Sequence, residues 1–226
     1  MTAGLFITGS DTDVGKTYVT ALIAKTLRSQ RRRVGVYKPV ASGCTDLHHS
    51  DAGQLWEAAG RPLTLEEVCP QWFGQPLAPH LAAAAEGQRV NPKLLRSGLD
   101  VWKYASDFVL VEGAGGLMSP IDDDELVAQL AADIAYPLIV VVPNRVGVIN
   151  QTLQTLITAV TFCEGLDVAG VILTDTCDDA VADDPSRTSN LEELKKWCVA
   201  PVIAHVHYGD KQFTTDIDWL ALANCG

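Results

Sequence analysis

The stretch "GSDTDVGKT", Gly9 to Thr17, decides how the chain folds. It follows the apolar run "LFIT" and leads into a segment with a helical pattern. A strict Walker A loop has glycine where this chain has Ser10, yet the order of strand, loop, Gly15, Lys16, Thr17 and helix is retained. In such a loop, backbone N–H groups hold phosphates, the lysine reaches terminal oxygens and the hydroxyl can ligate Mg²⁺. The stretch therefore predicts a phosphate-binding loop, and the alternative is a glycine turn with a solvated lysine.

Short β-branched runs alternate with segments of helical length along the rest of the chain. Near-continuous apolar strands separated by helices indicate a parallel sheet covered on both faces. Ligands should then collect outside the carboxyl ends of the strands. The strand runs are "LFIT", "RVGVY", "DFVLVE", "PLIVVV", "VAGVIL" and "PVIAHV". The helical segments are Thr17 to Ser29, Pro92 to Ala105, Asp124 to Ile134, Ile149 to Glu164 and Leu191 to Cys198.

No repeat, low-complexity tract or clear linker interrupts this alternation, so we predict one α/β domain over residues 1–226. The polar stretch from Asp175 to Arg187 has the composition of a mobile surface loop.

Composition restricts the classes of partner. The formal net charge of −11 disfavours a nucleic-acid partner, because that affinity needs clusters of lysine and arginine. The longest purely apolar run, "LIVVV" from Leu138 to Val142, is far shorter than the roughly 20 residues of a membrane span. With no secretory leader apparent and six cysteines scattered without metal or redox spacing, we expect a soluble cytoplasmic protein with reduced thiols.

Two stretches place a charged side chain at the end of a predicted strand. "YKPVASG" puts Lys38 at the lip of the sheet, where a lysine can stabilise charge on a transferring phosphoryl group, and Ser42 nearby can hydrogen-bond a substrate. Both residues also suit an ordinary turn. "DFVLVEGAGG" puts Glu112 directly after a buried strand, where phosphate-loop proteins commonly place the acidic group that holds Mg²⁺.

Two further stretches predict helix starts. In "HHSDAGQL", Ser50 or Asp51 could cap a helix. In "NRVGVIN", Gly147 to Asn150 present free N–H groups after an apolar strand, which makes an anion site possible. Every helix has such a start, so the alternative of a purely structural role stays open for both.

Together these stretches resemble the dethiobiotin synthetase family, ATP-dependent enzymes that close the ureido ring of biotin's precursor. The resemblance runs from Gly9 to about Asn150, through "GSDTDVGKT", "YKPVASG", "SDA", "APH", "VEGAGG" and "GVIN" in the family's order. It implies a three-layer P-loop NTPase fold with a mainly parallel sheet of about seven strands and helices on both faces. It also implies a homodimer whose ligands are 7,8-diaminopelargonic acid (7,8-diaminononanoate), CO₂, ATP as co-substrate and Mg²⁺.

The resemblance assigns roles position by position. Lys16 and Lys38 would be the catalytic cations, and Thr17, Asp51 and Glu112 would hold Mg²⁺. The nucleotide would lie against Asp13, Val14, Gly15, Lys16, Thr17, Tyr18, Asp51, Glu112, Gly113, Ala114, Gly115, Thr174 and Asp175. The substrate would contact Thr12, Ser42 and Pro79, and its far carboxylate would be bound at the helix start of the second subunit, Gly147, Val148, Ile149 and Asn150.

The C-terminal third departs from the family's pattern. Where the family usually has an asparagine that reads adenine, after the "GVIL" strand, this chain has Thr174 followed by Asp175. The family's later proline-containing base-binding turn is replaced by "HVHYG", which carries His205 and His207. We therefore expect a looser preference for ATP over other nucleoside triphosphates.

Two other classes share a phosphate loop. Partitioning or cell-positioning ATPases carry an additional lysine early in the loop, where this chain has Asp11. Their membrane-positioning members also end in a basic amphipathic helix, whereas "TTDIDWLALANCG" is short and acidic. A non-catalytic nucleotide-binding module, or a P-loop domain of another ligase, stays open because only the resemblance argues against it.

Overall fold

The computed structural model describes residues 2–178 and 183–224. Its strands are β1 (Ala3–Gly9), β2 (Val34–Tyr37), β3 (Ala41–Ser42), β4 (Trp72–Phe73), β5 (Phe108–Gly116), β6 (Leu138–Pro143), β7 (Val168–Thr174) and β8 (Val202–Val206). Six of them form one parallel sheet in the order β2-β5-β1-β6-β7-β8, while β3 and β4 pair separately. The predicted α/β fold with a parallel sheet is confirmed. Each of the six apolar runs coincides with one strand of the main sheet, against the seven or so that the family resemblance implies for it.

Helices cover the sheet. They are α1 (Lys16–Ser29), α2 (Asp51–Ala59), α3 (Leu65–Val68), α4 (Pro79–Ala85), α5 (Pro92–Ser97), α6 (Asp100–Ala105), α7 (Val127–Ile134), α8 (Val148–Thr161), α9 (Asn190–Trp197) and α10 (Trp219–Leu222), with 3₁₀ turns at Leu47–His49 and Pro185–Thr188. The central strands are fully buried because both faces are covered, as Phe6 in β1 and Phe108 in β5 illustrate. Among the helices in residues 2–178 and 183–224, none combines the length and the apolar composition that are needed to span a bilayer.

The helix predicted over Pro92 to Ala105 is wrong as a single element, because it divides into α5 and α6. The hydroxyl of Tyr37 donates to the carbonyls of Leu94 and Leu95, each at 3.0 Å. The backbone N–H of Leu99 then bonds the carbonyl of Arg96 instead of continuing the α-helical pattern to Leu95. The chain turns at this point, and Trp102 of α6 packs into the core.

The start of α2 follows the predicted cap. Ser50 has an extended backbone, and its side-chain oxygen accepts from the backbone N–H of Gly53, so Asp51 becomes the first helical residue. By contrast, α7 begins at Val127 and not at Asp124. The reason is that Asp122 accepts hydrogen bonds from the backbone of Asp124 and Glu125, which fixes a turn there.

The sheet order determines where a site can form. β1 lies between β5 and β6, and the chain leaves β1 through α1 toward β2, on the far side of β5. The connections therefore diverge beside β1, and the carboxyl ends of these strands open a crevice for a ligand. The stretch from Gly9 to Thr17 lies at that crevice.

Candidate active site

The loop between β1 and α1 has the backbone of a phosphate-binding loop. Asp13 and Gly15 both have positive φ angles, 56° and 90°. A Cβ atom on Gly15 would lie 3.3 Å from the hydroxyl of Thr174, so a glycine suits both the conformation and the space. α1 starts at Lys16, which directs its unpaired N–H groups into the crevice.

Lys16 lies folded back over this loop. Its Nζ donates to the backbone carbonyl of Asp11 at 2.8 Å. Burial lowers the pKa of Lys16, and the nearby charge of Lys38 also lowers it, while the carboxylate of Glu112 acts in the opposite direction. The ammonium is thus held next to the loop, where phosphates would lie.

Lys38 bridges two carboxylates. Its Nζ donates to Oε1 of Glu112 at 2.6 Å and to Oδ2 of Asp51 at 2.9 Å. Burial by itself would lower the pKa of Lys38, but the charges of Glu112 and Asp51 outweigh it, so that this pKa is raised and the side chain stays protonated. The sequence prediction that Lys38 lies at the lip of the sheet agrees with its position directly after β2.

Two threonines of α1 complete the surroundings of Glu112. Thr17 Oγ1 donates to Oε1 and Thr20 Oγ1 donates to Oε2, each at 2.8 Å. Asp51 has a lowered pKa: burial would raise it, and the charge of Lys38 together with hydrogen bonds from Lys38 and Thr17 more than reverses this effect. Thr17, Asp51 and Glu112 therefore bring one hydroxyl and two carboxylates around a single point.

This donor set fits Mg²⁺, a hard cation that prefers oxygen ligands and a carboxylate or two beside substrate phosphates. Lys38 already places a positive charge against the same oxygens. The carboxylates are held in position by hydrogen bonds from Thr17, Thr20 and Lys38, as outer contacts commonly hold metal ligands.

A cavity of about 1200 Å³ opens over these groups. Of the residues that the family resemblance implies, it is lined by Thr12, Asp13, Gly15, Lys16, Thr17, Tyr18, Lys38, Ser42, Asp51, Pro79, Ala114, Gly115, Thr174 and Asp175. Its volume suffices for a nucleotide and a second small molecule, since drug-sized ligands occupy roughly 300–1,000 Å³. A smaller cavity of about 490 Å³ lies near Tyr136 and Asp167, at the amino ends of β6 and β7, away from the lysines and carboxylates.

The other implied residues lie outside the lining of this cavity. The carboxylate of Glu112 is buried and accepts hydrogen bonds from Thr17 and Lys38, which line the cavity. Val14 is buried in the core, and a Cβ atom on Gly113 would meet Phe6 and Val127 at 3.1 Å, so Gly113 serves close packing. The helix start formed by Gly147, Val148, Ile149 and Asn150 is not part of the cavity of its own chain, so its assignment to the second subunit's substrate stays a prediction.

Thr174 secures the phosphate loop. It is buried, and its hydroxyl donates to the backbone carbonyl of Val14 at 2.6 Å, with the carbonyl of Val142 at 3.2 Å. A hydroxyl with these partners has little left to offer a nucleotide base. The position that the resemblance assigns to adenine recognition therefore holds the loop in this chain.

Asp175 is fixed from both sides. Its Oδ1 accepts from the amide of Asn144 at 2.8 Å and lies 3.0 Å from the guanidinium of Arg187. Its Oδ2 lies 2.8 Å from Nδ1 of His207 and 3.1 Å from Nε2 of His205. Burial would raise the pKa of Asp175, but the hydrogen bonds from Asn144 and His207, together with the nearby ring of His205, lower it.

The prediction of a surface loop from Asp175 to Arg187 is wrong at both ends. The side chains of Asp175 and Arg187 are buried and paired because their charges compensate one another. Residues 179–182 of this stretch lie outside the described residues.

Several residues of the site were missed by sequence reasoning. Thr20 could have been found, because it lies one helical turn after Thr17 on the same face of α1. Tyr208, Gly209 and Lys211 line the cavity from the loop after β8. Tyr208 and Gly209 end the stretch "HVHYG", whose place in the chain, that of the family's base-binding turn, was the signal that could have found them. The hydroxyl of Tyr18 bonds the carbonyl of Asp210 and so connects α1 to that loop. The remaining cavity residues outside the prediction are Ala41, Gly43, Pro76, Leu77, Ala78, Ser119, Pro120, Thr176 and Val206.

The parallel sheet, the phosphate loop and the lysine–carboxylate cluster define a P-loop nucleotide-dependent enzyme. A family model described as "AAA domain" matches residues 3–212. The ATP-dependent dethiobiotin synthetase BioD of Rhodopirellula baltica is 43% identical, over 89% of this chain and 82% of the relative. The protein of the same name from Bacillus subtilis strain 168 is 34% identical, over 88% of this chain and 85% of the relative. The chain belongs to the ATP-dependent dethiobiotin synthetase family, and the assignment made from its motifs is confirmed.

The fold is also similar to that of a solved cell division complex, which bears on the alternative class of partitioning or cell-positioning ATPases. The MinC:MinD cell division protein complex of Aquifex aeolicus matches with a TM-score of 0.54 and 17% identity, covering 91% of this chain and 81% of that chain. At this identity the likeness demonstrates a common fold only, and it gives no support to a positioning function.

Proposed function

We propose that the chain is an ATP- and Mg²⁺-dependent dethiobiotin synthetase that makes its cyclic urea from 7,8-diaminopelargonic acid and CO₂. One observation carries the proposal: Lys38 donates to Asp51 and Glu112 beside the phosphate loop, and Thr17 donates to the same oxygen of Glu112. These groups lie at the cavity that Ser42 also lines. The names of its relatives support the same reaction class.

The reaction needs no protein nucleophile. One substrate amine adds to CO₂ and loses a proton, which gives a carbamate. A carbamate oxygen then attacks the γ-phosphorus of ATP, ADP leaves, and a carbamic–phosphoric anhydride forms. The second amine attacks the carbonyl carbon of this anhydride, phosphate leaves, a proton is lost and the ring closes. The demands on the protein are therefore positioning and stabilisation of charge.

The two lysines meet the demand for charge. Lys38 is buried and oriented by Glu112 and Asp51 before any substrate binds, so it can stabilise charge on the transferred phosphoryl group without first being reorganised. Lys16 lies at the first turn of α1, where the helix N-terminus adds a second positive field for the phosphates.

Thr17, Asp51 and Glu112 would hold the divalent ion. When bound, Mg²⁺ neutralises phosphate oxygens and orients them for transfer. The chain contributes to ion binding by holding these three side chains in position before the ion binds. Thr20 and Lys38 hold Glu112, and Lys38 holds Asp51.

The nucleotide base is proposed to be read less strictly than in a site with an asparagine. The hydroxyl of Thr174 is engaged with Val14, and both oxygens of Asp175 have partners among Asn144, Arg187 and the histidines. Neither side chain is then available to distinguish adenine from cytosine or guanine.

A homodimer is proposed from the exposed face of α8. Ile157 and Val160 form an exposed apolar stripe on α8, because they lie one helical turn apart and expose 63% and 70% of their surface. Val146, which precedes the helix, exposes 75%. A second copy packed on this stripe would cover it and bring the helix start from 147 to 150 toward the partner's substrate. We further propose that residues 1–226 act as one cytoplasmic domain without a nucleic-acid or membrane partner, in keeping with the net charge of −11.

The proposal is tested by incubating the protein with the diamine, bicarbonate, ATP and Mg²⁺ and recording a mass spectrum of the product. We expect the mass of the diamine plus CO₂ minus water, together with equal amounts of ADP and phosphate. In the same assay, Lys38→Ala should form product much more slowly. Lys103→Ala is its control, because Lys103 is an exposed lysine whose side chain pairs only with Asp100 among the described residues. ATP hydrolysis stimulated by a protein or lipid partner but not by the diamine would assign the chain to the rival class.

A further inference from the structure

A cluster of two histidines and one aspartate lies outside the catalytic groups, at the ends of β7 and β8. Leu173 pairs with His205 in the register of these strands, and side chains alternate between faces, so Asp175 and His207 lie on the same face as His205. The ligand atoms of Asp175, His205 and His207 all lie within 4.8 Å of one another. Since β5 and β7 are three strand spacings apart, the cluster is at least roughly 14 Å from Glu112.

The distances within the cluster are slightly shorter than those between ligands of one metal ion, and the contact between His207 and Asp175 is a hydrogen bond that an ion would replace. Two ligands bound to one tetrahedral Zn²⁺ at about 2.0 Å lie about 3.3 Å apart. Oδ2 of Asp175 lies 2.8 Å from Nδ1 of His207 and 3.1 Å from Nε2 of His205, and the histidine rings are 4.2 Å apart between centroids. Nε2 of His205 is buried and has no hydrogen-bond partner among the described residues, although Oδ2 of Asp175 lies 3.1 Å away. A metal ion bound between the three side chains would give this nitrogen a partner.

The carboxylate is supported as metal-binding carboxylates commonly are. Oδ1 of Asp175 is held by Asn144 and Arg187, which leaves Oδ2 directed at the two imidazoles. Asn144 is in turn held by Asn190, whose amide donates to it at 3.0 Å. The side chain of His207 is 56% exposed, so a fourth position can be taken by water.

The charges around the cluster select the kind of ion. Arg187 compensates the charge of Asp175, so little net negative charge remains to attract Mg²⁺ or Ca²⁺, which depend on hard oxygen ligands. An ion that gains from imidazole nitrogen is favoured instead, and Zn²⁺ and the neighbouring late first-row ions are of this kind. The two cation sites of the chain then differ in ligand chemistry.

We propose that Asp175, His205 and His207 form a binding site for a divalent transition-metal ion such as Zn²⁺, separate from the oxygen-lined site at Thr17, Asp51 and Glu112. The site joins the ends of β7 and β8 beside the cavity that Asp175 lines. It is assigned from these three side chains alone and does not depend on the reaction proposed above.

The test measures ion binding to the full chain without nucleotide. Calorimetric titration with Zn²⁺ is carried out in millimolar Mg²⁺, which occupies the hard-oxygen site, and Co²⁺ is added in a parallel experiment as a probe with visible absorption bands. We expect one equivalent of Zn²⁺ in the wild type and affinity lowered by at least about tenfold in both His205→Ala and His207→Ala, because loss of a ligand costs at least as much as loss of a group that only holds a ligand. The visible bands of Co²⁺ should weaken in the same two variants.

His49→Ala is the matched control. Nδ1 of His49 lies 2.7 Å from Oδ2 of Asp46 on the surface. The two residues form a histidine–carboxylate pair, but among the described residues they belong to no cluster of three metal-binding side chains. Loss of the His49 side chain should leave Zn²⁺ affinity unchanged. Because His207 is largely exposed, its variant should fold even if His205→Ala does not. No Zn²⁺ binding by the wild type, or equal affinity in the wild type and His207→Ala, would overturn the proposal.

Discussion

Nζ of Lys38 lies 2.6 Å from Oε1 of Glu112, with 6% of the lysine side chain and none of the glutamate side chain exposed. The register of β2 and β5 creates this contact, because Tyr37 pairs with Val111 and the next residue on each strand is Lys38 and Glu112. Two buried charges that neutralise one another are strongly coupled, so removing Lys38 leaves Glu112 buried without its paired cation, whereas removing Glu112 leaves Lys38 with Asp51 alone. Effects on folding and on catalysis must therefore be measured separately at this pair.

Lys38→Ala should lower kcat by about a hundredfold to a thousandfold, because the lysine acts on charge that develops in the transition state. The affinity for ATP should change far less, since Lys16 and the phosphate loop are intact. Steady-state kinetics gives kcat, and calorimetry with a non-hydrolysable ATP analogue gives the affinity.

The same substitution should lower the free energy of unfolding by about 3–5 kcal/mol, because Glu112 becomes an unpaired buried charge. Kinetics must be recorded well below the melting temperature determined by calorimetry, with Lys103→Ala as the control for loss of an exposed lysine. Unchanged turnover in a folded Lys38→Ala protein would remove Lys38 from the active site.

Glu112→Gln should raise the Mg²⁺ concentration for half-maximal activity by at least about tenfold, since a carboxylate ligand becomes a neutral amide. Folding should be retained, because the amide still accepts a hydrogen bond and Lys38 keeps Asp51 at 2.9 Å. The measurement is activity against Mg²⁺ concentration, with circular dichroism as the check on folding.

Glu125→Gln is the control for this substitution. Glu125 pairs with Arg96 at 2.9 Å, away from the cavity, and its variant should keep the wild-type response to Mg²⁺. A Glu112→Gln protein that does not fold would mean that Glu112 is primarily structural.

Local patterns in the sequence predict the sheet well, because β-branched apolar runs between helices mark each of the six strands of the main sheet. The position of Lys38 follows from the same patterns. The division between α5 and α6 does not, since it depends on the hydroxyl of Tyr37, which is 57 residues from Leu94 in the chain. The cluster at Asp175 could not be predicted from the sequence either, because His205 and His207 come close to Asp175 only through the pairing and register of β7 and β8.

Thr174→Val should raise the KM for ATP, CTP and GTP alike, by roughly tenfold. Valine keeps the shape of threonine but leaves the carbonyl of Val14 without its 2.6 Å donor, and an unsatisfied buried acceptor costs about 1–3 kcal/mol. In the wild type, the values of kcat/KM for the three nucleotides should be comparable, because Thr174 does not read the base. All values come from steady-state kinetics with each nucleotide.

Thr26→Val is the matched control, because Thr26 donates to the carbonyl of Leu22 within α1, outside the cavity. Strong selectivity of the wild type for ATP would contradict the proposed base preference. An increase of KM for ATP alone in Thr174→Val would mean that Thr174 contacts adenine.

Iodoacetamide at pH 8 should modify Cys163 and leave Cys69 intact in the native protein. Burial raises the pKa of Cys69 to about 12, so only about 10⁻⁴ of it is thiolate at that pH, whereas Cys163 is exposed. Mass spectrometry of tryptic peptides gives the rate for each cysteine. Equal rates in the native state would contradict the buried position of Cys69, and unfolding in urea should remove the difference.

Ile157→Asp should separate the proposed homodimer into monomers, because a charge would replace an apolar side chain in the exposed stripe on α8. Ile157 lies one helical turn from Val160, and its substitution leaves the cavity lining of its own chain untouched. Sedimentation velocity measures the oligomeric state. Synthetase activity should fall with dimer dissociation, since the helix start at 147–150 is proposed to bind the partner's substrate.

Tyr104→Asp provides the control for an added surface charge. Tyr104 is 88% exposed in α6, which packs on β2 and β5, while α8 packs on β6 toward the other side of the sheet. The variant should remain dimeric and active, since its new carboxylate is solvated and lies away from the stripe. A wild-type protein that sediments as a monomer while forming product at full rate would contradict the dimer and, with it, the role of residues 147–150 across the interface. A dimer that persists in Ile157→Asp would move the interface to another surface.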